Sequence, residues 1–343
     1  MIRGPRDAAV IEVPEPEVGA GQVLIDVHRV GVCGTDTELY TGEMQYLHDG
    51  NASYPLRPGH EWMGVVVSAG EGVDPMWIGR RVTGDTMIGC GRCVRCLAGR
   101  HHVCEDRHEL GVRGGMAGAL AERLAYPARY LHALPDSVDD VAGALVEPAG
   151  NALRSVWAAA LESGGRVLIL GAGTIGLLAA MFARAADLEV HIMGRSERSV
   201  EFARSLGFDC AWAEGALPEL PWDAVIDCSN DPSLPAKALG LVEPGRRVVY
   251  VGLAGSPSLL DSRTLALKDV TAVGILGASQ ALDDVIAAFA NGSVDPRGIV
   301  AAAVELDHLG RILDGARPQP AGLGPKIHIT IPRAERPSKD GDV

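Results

Sequence analysis

A short stretch near the N-terminus contains side chains that can together hold a metal ion. Cys33 supplies a thiol, His60 supplies an imidazole, and Glu61 supplies a carboxylate directly beside that imidazole. Three such ligands with a fourth position left free are typical of a catalytic zinc, which polarises a substrate oxygen. A single Cys is more often a small buried hydrophobe, so this stretch alone leaves both interpretations open.

A second group of thiols has the spacing of a structural metal site. Its members are Cys90, Cys93, Cys96 and Cys104. Four thiolates close a tetrahedral site with no free position, so we predict a structural zinc in a lobe over about residues 88–106. An iron–sulfur cluster is the competing interpretation, but such runs place Pro after the fourth Cys, and here Glu105 follows.

The chain as a whole has the composition of an ordinary globular protein. It has 343 residues, enough for two domains, and 47% of them are hydrophobic. Its net charge of −13 disfavours a nucleic-acid partner, because phosphate binding needs clustered Lys and Arg. Seven Cys, four of them clustered, indicate metal binding in a reducing cytoplasm. We find no hydrophobic signal region and no run of about 18 apolar residues, so we expect no membrane span.

The first half of the chain has the pattern of short strands. Apolar residues alternate over 23–27 and form a β-branched run over 63–68. We therefore expect a compact all-β domain over residues 8–89, with a polar loop over 39–58 that could wall a pocket. The glycine-rich segment 111–118 predicts a close backbone approach or a flexible loop, because no strand precedes it as a phosphate cradle requires.

The second half of the chain opens on a glycine fingerprint. An apolar strand over 166–170 leads into it, and a helix follows. The fingerprint residues are Gly171, Gly173, Thr174, Ile175 and Gly176. The first Gly makes the turn, the second lets the backbone approach a pyrophosphate, and the third packs helix on strand. A purely structural strand–helix turn is the alternative.

The strand–helix alternation then repeats, which favours dinucleotide binding. Further strands are predicted at Glu189–Met193, Ala224–Cys228, Arg247–Leu253 and Val270–Leu276, and helices at Ser196–Leu206 and Leu234–Leu241. Such alternation predicts a doubly wound parallel sheet. Beyond it we expect a helix over Asp283–Ala290, a last strand over Ile327–Ile331 and a frayed tail over Pro332–Val343.

The end of the second strand favours NADP over NAD. An NAD site expects an acid there to bind the ribose hydroxyls, and this chain has Gly194 instead. Arg195, Ser196 and Arg198 follow, and guanidinium groups can bind a 2′-phosphate. In the alternative interpretation, Ser196 caps the next helix, both Arg face water, and Glu197 turns inward. NAD therefore stays possible.

Between the two halves lies Glu147-Pro148-Ala-Gly-Asn151. An acid just before Pro is expected in extended or turn backbone. The alternative is a helix N-terminal charge that faces solvent.

Taken in order, these motifs resemble one family, the zinc-dependent medium-chain dehydrogenases, which include alcohol, sorbitol, threonine and glucose dehydrogenases. The match runs through Gly31–Asp36, Gly59–Glu61, the four-Cys lobe, Glu147-Pro148 and Gly171–Gly176. It implies a GroES-like catalytic domain over residues 1–150, a Rossmann domain over 151–280, and a return to the catalytic domain over 281–343.

The resemblance also implies roles for the residues around the catalytic metal. Cys33 and His60 bind the catalytic zinc, and Glu147 is the third ligand where alcohol dehydrogenases have Cys. Glu61 either ligates directly or exchanges with water or substrate. Asp36 orients His60, as carboxylates usually do for metal-bound imidazoles.

The resemblance is incomplete along the proton route. Thr35 resembles the hydroxyl that passes the substrate proton, but Glu38 stands where many relatives carry a His, as in glucose dehydrogenases. Ser229 and Gly252 match the strand ends that border the nicotinamide. We therefore predict two Zn²⁺ ions and one nicotinamide cofactor per chain.

The expected activity is hydride transfer between the nicotinamide and a secondary alcohol or ketone of a polyol, sugar or cyclitol. The expected partner is a small hydroxylated substrate, in a homodimer or homotetramer. One rival is a zinc-free quinone or enone reductase of the same superfamily. The other is a non-catalytic zinc protein that senses NADPH.

Overall fold

The computed structural model describes residues 1–332, so the predicted tail lies outside the described residues from position 333 onward. The strands are β1 (Ile2–Gly4), β2 (Asp7–Ala8), β3 (Gln22–Gly31), β4 (Glu61–Ala69), β5 (Arg81–Gly84), β6 (Met87–Ile88), β7 (His108–Glu109), β8 (Arg123–Pro127), β9 (Leu131–Ala133), β10 (Arg166–Leu170), β11 (Glu189–Gly194), β12 (Ala211–Ala213), β13 (Trp222–Asp227), β14 (Val242–Tyr250), β15 (Thr271–Gly274), β16 (Val300–Glu305) and β17 (Lys326–Thr330).

The helices connect and cover these strands. They are α1 (Gly34–Thr41), α2 (Gln45–His48), α3 (Val94–Leu97), α4 (Asp140–Gly143), α5 (Val146–Ala159), α6 (Thr174–Ala185), α7 (Glu197–Ser205), α8 (Leu234–Leu241), α9 (Ser262–Leu267), α10 (Leu282–Ala290) and α11 (Leu309–Leu313). Short 3₁₀ turns lie at Pro75–Trp77, His101–Val103, Ala128–Tyr130, Glu214–Ala216, Arg297–Ile299 and Leu306–His308. None of the helices within residues 1–332 is long and apolar enough to cross a membrane.

The first large sheet has the order β16-β17-β3-β4-β5-β9, and β8 also pairs with β3. All its pairings are antiparallel except β16 with β17. The alternating Val23, Ile25 and Val27 are fully buried in its core, as their period-two pattern predicts. Strand β17 comes from the far end of the chain and sets His328 opposite Gly31. The return segment therefore lies directly beside the predicted catalytic stretch.

The second sheet has the order β12-β11-β10-β13-β14-β15, and every pairing in it is parallel. Its central strand β10 is buried from Val167 to Leu170, as expected of a strand covered on both faces. Strand order reverses at β10, so the crevice for a ligand opens at the carboxyl end of this strand. The predicted doubly wound sheet is confirmed.

Three details of the sequence interpretation are wrong. The first half of the chain is not all β, because α1 and α2 lie in and beside the predicted polar loop. A strand, β7, does precede the glycine-rich segment, although no helix follows it. Glu147 is helical rather than extended, because α5 begins one residue before it. Pro148 is tolerated there since the first turn of a helix has no N–H bond for Pro to remove.

Candidate functional site

The cluster of Cys33, His60 and Glu61 forms where β3 ends and β4 begins, and Asp36 joins the two segments. Its side chain is fully buried. One oxygen accepts the N–H of Cys33 at 2.9 Å, and the other accepts the N–H of Gly59 at 3.1 Å. The second oxygen also lies 3.6 Å from Nδ1 of His60. Asp36 therefore connects the segments that carry Cys33 and His60, and it faces the ring nitrogen of His60.

Glycine is required just before His60. Gly59 has φ +100°, and a Cβ there would lie 2.8 Å from the backbone nitrogen of Leu120. The glycine-rich segment packs against the same point, since a Cβ on Gly118 would lie 2.2 Å from the carbonyl oxygen of Pro58. This is the close backbone approach that the sequence predicted. It packs against the backbone directly before His60.

The potential ligand atoms of Cys33, His60 and Glu61 lie within 4.8 Å of one another. Burial alone would lower the pKa of His60, but the Asp36 carboxylate, the hydrogen-bonded Cys33 and the field of Glu147 raise it well above its usual value. Nδ1 of His60 makes no hydrogen bond within residues 1–332 despite its burial. A pocket that favours positive charge at a mixed S, N and O donor set fits Zn²⁺.

Glu147 lies near this group but outside it. It is only 7% exposed, on the first turn of α5, and its Oε1 accepts the side-chain N–H of Asn151 at 3.1 Å. The pKa of Glu147 is raised to about 7: burial raises it most, His60 and Asn151 lower it, and Glu61 raises it. The second interpretation of Glu147, a helix charge facing solvent, is therefore wrong. A buried carboxylate of this kind requires a nearby cation to stay ionised.

Glu61 has a partner that the sequence interpretation missed. Nζ of Lys326 on β17 lies 2.8 Å and 2.7 Å from its two carboxylate oxygens. The side chains of Lys326 and Glu61 are 3% and 1% exposed. The sequence carries a weak signal, because Lys326 opens a strand with two buried Ile, but 265 residues separate Lys326 from Glu61.

Thr35 and Glu38 lie on α1. Thr35 is the second residue of that helix and is half-buried. Burial raises the pKa of Glu38, and the neighbouring Glu43 raises it further. The acid that raises the pKa of Glu38 is thus Glu43, an exposed residue near the end of the same helix.

The four-Cys lobe has the dimensions of a metal site. The sulfurs of Cys90 and Cys96 lie 3.9 Å apart, and those of Cys93 and Cys104 lie 3.8 Å apart. Ligands about 2.3 Å from a tetrahedral zinc lie about 3.8 Å from each other. The N–H of Cys96 also donates to the sulfur of Cys93 at 3.5 Å, so a backbone contact fixes the position of that sulfur.

His101 connects this lobe to the rest of the catalytic half. Its Nε2 lies 2.6 Å from a carboxylate oxygen of Asp85, which is 1% exposed. The other oxygen of Asp85 accepts the N–H of Met87 at 2.9 Å, and the side-chain N–H of Gln280 donates to the carbonyl of Gly99 at 3.4 Å. The lobe is therefore tied both to β6 and to the chain beyond the parallel sheet.

The dinucleotide end of the molecule has the geometry of its fingerprint. Gly171 has φ +102°, and a Cβ on Gly176 would lie 1.8 Å from the carbonyl oxygen of Gly171. Gly173 is the N-cap of α6, so Thr174 and Ile175 form the first turn. Because its first backbone N–H groups point toward the crevice at the end of β10, the turn can bind a pyrophosphate.

Ser229 and Gly252 meet at the same edge of the parallel sheet. A Cβ on Gly252 would lie 1.8 Å from the carbonyl oxygen of Ser229. The hydroxyl and the N–H of Ser229 donate to one oxygen of Asp227, at 2.6 Å and 3.0 Å. The ends of β13 and β14 thus form a fixed, narrow wall beside the crevice.

The residues after β11 form a helix cap and also leave two arginines exposed, so they fit both the helix-cap interpretation and the NADP interpretation of this segment. Ser196 caps α7, since its hydroxyl accepts the N–H of Ser199 at 3.3 Å. Arg195 and Arg198 are exposed, and neither forms an ion pair within the described part of the chain. A Cβ on Gly194 would lie 2.6 Å from the hydroxyl of Ser199, so a carboxylate could enter there only if Ser199 moved.

A polar network lies on the loops beside the catalytic half. The hydroxyl of Tyr46 donates to Glu109 at 3.1 Å, and Arg107 donates to both, at 2.8 Å to Glu109 and 3.2 Å to Tyr46. Arg113 lies 5.7 Å from the centre of the Tyr46 ring and donates to Asn51 at 2.9 Å. These contacts hold the loop of α2 against the segment that follows β7.

Known proteins resemble this chain in sequence. Residues 19–136 match the family model described as the alcohol dehydrogenase GroES-like domain, and residues 174–291 match the model described as zinc-binding dehydrogenase. L-threonine 3-dehydrogenase of Streptomyces avermitilis is 36% identical over 284 residues, with 78% of this chain and 80% of that protein covered. The enzyme of the same name from Bacillus subtilis is 32% identical over 291 residues, with 79% and 80% covered.

Two solved structures have the same fold over nearly the full length. An Escherichia coli alcohol dehydrogenase in complex with NADH has a TM-score of 0.87 at 26% identity, with 96% of this chain and 97% of that chain covered. A zinc-binding dehydrogenase of Sinorhizobium meliloti bound to NADP has a TM-score of 0.86 at 27% identity, with the same coverage. Together with the two metal-ligand groups and the dinucleotide crevice, these matches show that the chain belongs to the zinc-dependent medium-chain alcohol and polyol dehydrogenases and is an NAD(P)-dependent enzyme.

Proposed function

We propose that the protein oxidises a secondary alcohol of a polyol, sugar or cyclitol, reversibly, with NADP as its preferred cofactor. The observation that carries this proposal is the buried cluster of Cys33, His60 and Glu61, with Glu147 beside it, in the same chain as a dinucleotide crevice. When bound, zinc supplies Lewis acidity toward the substrate hydroxyl, and the nicotinamide supplies hydride transfer.

The residues of the chain then have distinct tasks. Cys33, His60 and Glu147 would hold the catalytic zinc. Asp36 keeps His60 in one orientation through its 3.6 Å approach to Nδ1. The hydroxyl of Thr35, beside Asp36 on the same helix, would relay the proton of the substrate hydroxyl to solvent. The four-Cys lobe would hold the second zinc, which has a structural task because all four positions are filled.

Three features support NADP. With Gly194 at this position, the chain lacks the carboxylate that would repel a 2′-phosphate. A carboxylate side chain there would clash with the hydroxyl of Ser199. Arg195 and Arg198 are exposed beside it. Arg317, from the return segment, adds a third cation, since burial and the like charge of Arg198 both lower its pKa. A phosphate dianion between such groups relieves their repulsion.

The test is a cofactor-linked activity screen with metal analysis. Polyols, sugars, cyclitols and L-threonine are offered with NADP and with NAD, and zinc is measured per chain. L-threonine is included because the relatives named above are threonine dehydrogenases. We expect turnover with NADP, two zinc ions per chain, and loss of turnover in Cys33→Ser. One zinc per chain with turnover of quinones or enones would establish the zinc-free reductase instead. Tight NADPH binding without turnover would establish the sensor.

We also propose that two copies pair through the free edge of the parallel sheet. Strand β15 is exposed along that edge and leaves one row of its backbone N–H and C=O groups for a partner strand. Leu253, Leu259 and Leu267 beside it are 74%, 90% and 88% exposed. A second copy suits this edge because two identical strands pair antiparallel about a two-fold axis.

Sedimentation measures this directly. The double variant Leu259→Asp/Leu267→Asp should sediment at half the native mass or less. The matched control is Val94→Asp/Leu97→Asp, since these residues of the zinc lobe are similarly exposed at 77% and 76%. An unchanged mass for the leucine variant, or an equal loss for the control, would contradict pairing through β15.

A further inference from the structure

Two carboxylates compete for one place on the catalytic metal, and their surroundings differ. Glu61 is nearer to the cysteine and histidine ligands, because its oxygen falls within the 4.8 Å group and Glu147 does not. By distance alone, Glu61 would be the expected metal ligand. The other contacts of the two carboxylates favour Glu147 instead.

Both carboxylate oxygens of Glu61 accept hydrogen bonds from the buried ammonium group of Lys326. Lys326 has three N–H donors, and the structure gives Nζ three acceptors: the two oxygens of Glu61, at 2.8 Å and 2.7 Å, and the carbonyl of Val32, at 2.9 Å. Both side chains are nearly inaccessible to water, so the ion pair is not weakened by solvent. To reach the metal, Glu61 must give up at least part of this contact.

The residue opposite Glu61 leaves room for its carboxylate in the position where it contacts Lys326. A Cβ on Gly31 would lie 2.2 Å from one oxygen of Glu61, so glycine at that position is what gives the carboxylate room. The neighbouring backbone is fixed from the same side, because the N–H of Val32 donates to the carbonyl of Ile327 at 3.0 Å. Strand β17 therefore holds both the carboxylate and the residue before Cys33.

Glu147 has no such cation. One of its oxygens accepts from the neutral amide of Asn151, and it forms no ion pair within residues 1–332. It is also buried. A buried carboxylate that lacks a cationic partner gains most from a metal ion, because the metal replaces the solvation it has lost.

We propose that Lys326 is a positioning residue that keeps Glu61 off the catalytic metal at rest. The resting ligands are then Cys33, His60 and Glu147, and the fourth position stays free for the substrate oxygen. Glu61 becomes a ligand only when its contact with Lys326 is broken. This inference rests on the proposed function, since it concerns the same zinc site.

The experiment replaces zinc by Co²⁺ in the whole protein and reads the visible d–d absorption, which is intense for four ligands and weaker for five or six. The spectrum of His60→Ala, in which only the four-Cys site absorbs, is subtracted. Lys326→Met should weaken the difference spectrum and slow metal release to a chelator by roughly 10-fold, because the freed Glu61 adds a ligand. Lys326→Arg, which keeps the charge, should resemble the native protein.

Two further variants separate the possible outcomes. Glu61→Gln should leave the native spectrum unchanged, and Lys326→Met/Glu61→Gln should restore it, so the Glu61→Gln result stands even if Lys326→Met does not fold. A changed spectrum in Glu61→Gln alone, or an unchanged one in Glu147→Gln, would overturn the proposal, because Glu61 would then be the resting ligand. Failure of the native protein to bind a second Co²⁺ beyond the four-Cys site would instead refute the proposed function.

Discussion

Replacing Asp36 by Asn tests the site most directly, because one side chain serves two chain segments and a ligand. Asn keeps the size of Asp36 but turns one acceptor into an amide NH₂. Whichever way the amide lies, either the N–H of Cys33 or the N–H of Gly59 then faces another donor. Water cannot readily replace the lost acceptor, since Asp36 is completely buried.

The size of the effect follows from the hydrogen bond that Asn cannot accept. One hydrogen bond to a charged group contributes about 1.5–3 kcal/mol, and the donor left unpaired has no water to bond. We therefore expect Asp36→Asn to lower the free energy of unfolding by about 2–4 kcal/mol. Metal affinity should fall roughly 10- to 100-fold, because the carboxylate that faces Nδ1 of His60 at 3.6 Å is replaced by a neutral amide.

Two assays separate these effects. Urea unfolding of the zinc-loaded protein gives the change in stability, and competition with a chelator gives the metal affinity. Asp139→Asn is the matched control, because Asp139 also accepts a backbone N–H, from Ala142 at 2.9 Å, but is exposed and tolerates Asn as a helix cap. If Asp36→Asn behaved like this control in both assays, Asp36 would be a packing residue and our description of the cluster would be wrong.

Three other outcomes follow from the structure. Cys33→Ser should lower zinc from two ions to one per chain and abolish turnover while equilibrium dialysis finds NADP binding intact. Arg198→Ala should raise the KM for NADP roughly 10- to 100-fold with little change for NAD, since it removes one charge-assisted contact of about 1.5–3 kcal/mol. His328→Leu should reduce the loss of stability in acid: burial, Lys326 and Arg29 lower the pKa of His328, so below about pH 6.5 only the unfolded chain takes up its proton. Urea midpoints at pH 7 and 5.5 should show the native protein losing about 1.4 kcal/mol more than the variant.

The parallel sheet could be predicted because its signals are local. The strands predicted there are short, largely apolar runs with Gly, Pro or Asn nearby, and the fingerprint fixes where the first strand meets its helix. Strand β10 was predicted at its observed bounds, and helix α8 likewise. The ends of β14 and β15 were less well predicted, because their exposed residues lack a clear period.

Glu147 shows where local rules mislead. The residue before a Pro is biased away from helix, and that bias predicted extended backbone. The first turn of α5 overrides it, since α5 buries a long apolar face that includes Leu153 and Val156. The burial of that face decides the conformation, and it carries the carboxylate of Glu147 to within the electrostatic reach of His60.

Whether Glu61 or Glu147 binds the metal at rest could not be predicted from the sequence, for a different physical reason. Both are acids beside plausible ligand motifs, and nothing near either one in the chain distinguishes them. The distinction comes from Lys326, which reaches the cluster only because β17 pairs antiparallel with β3 after the chain has built the whole parallel sheet. Any variant that loosens β17 should therefore change the ligands of the metal before it changes the dinucleotide crevice, since that crevice belongs to the other sheet.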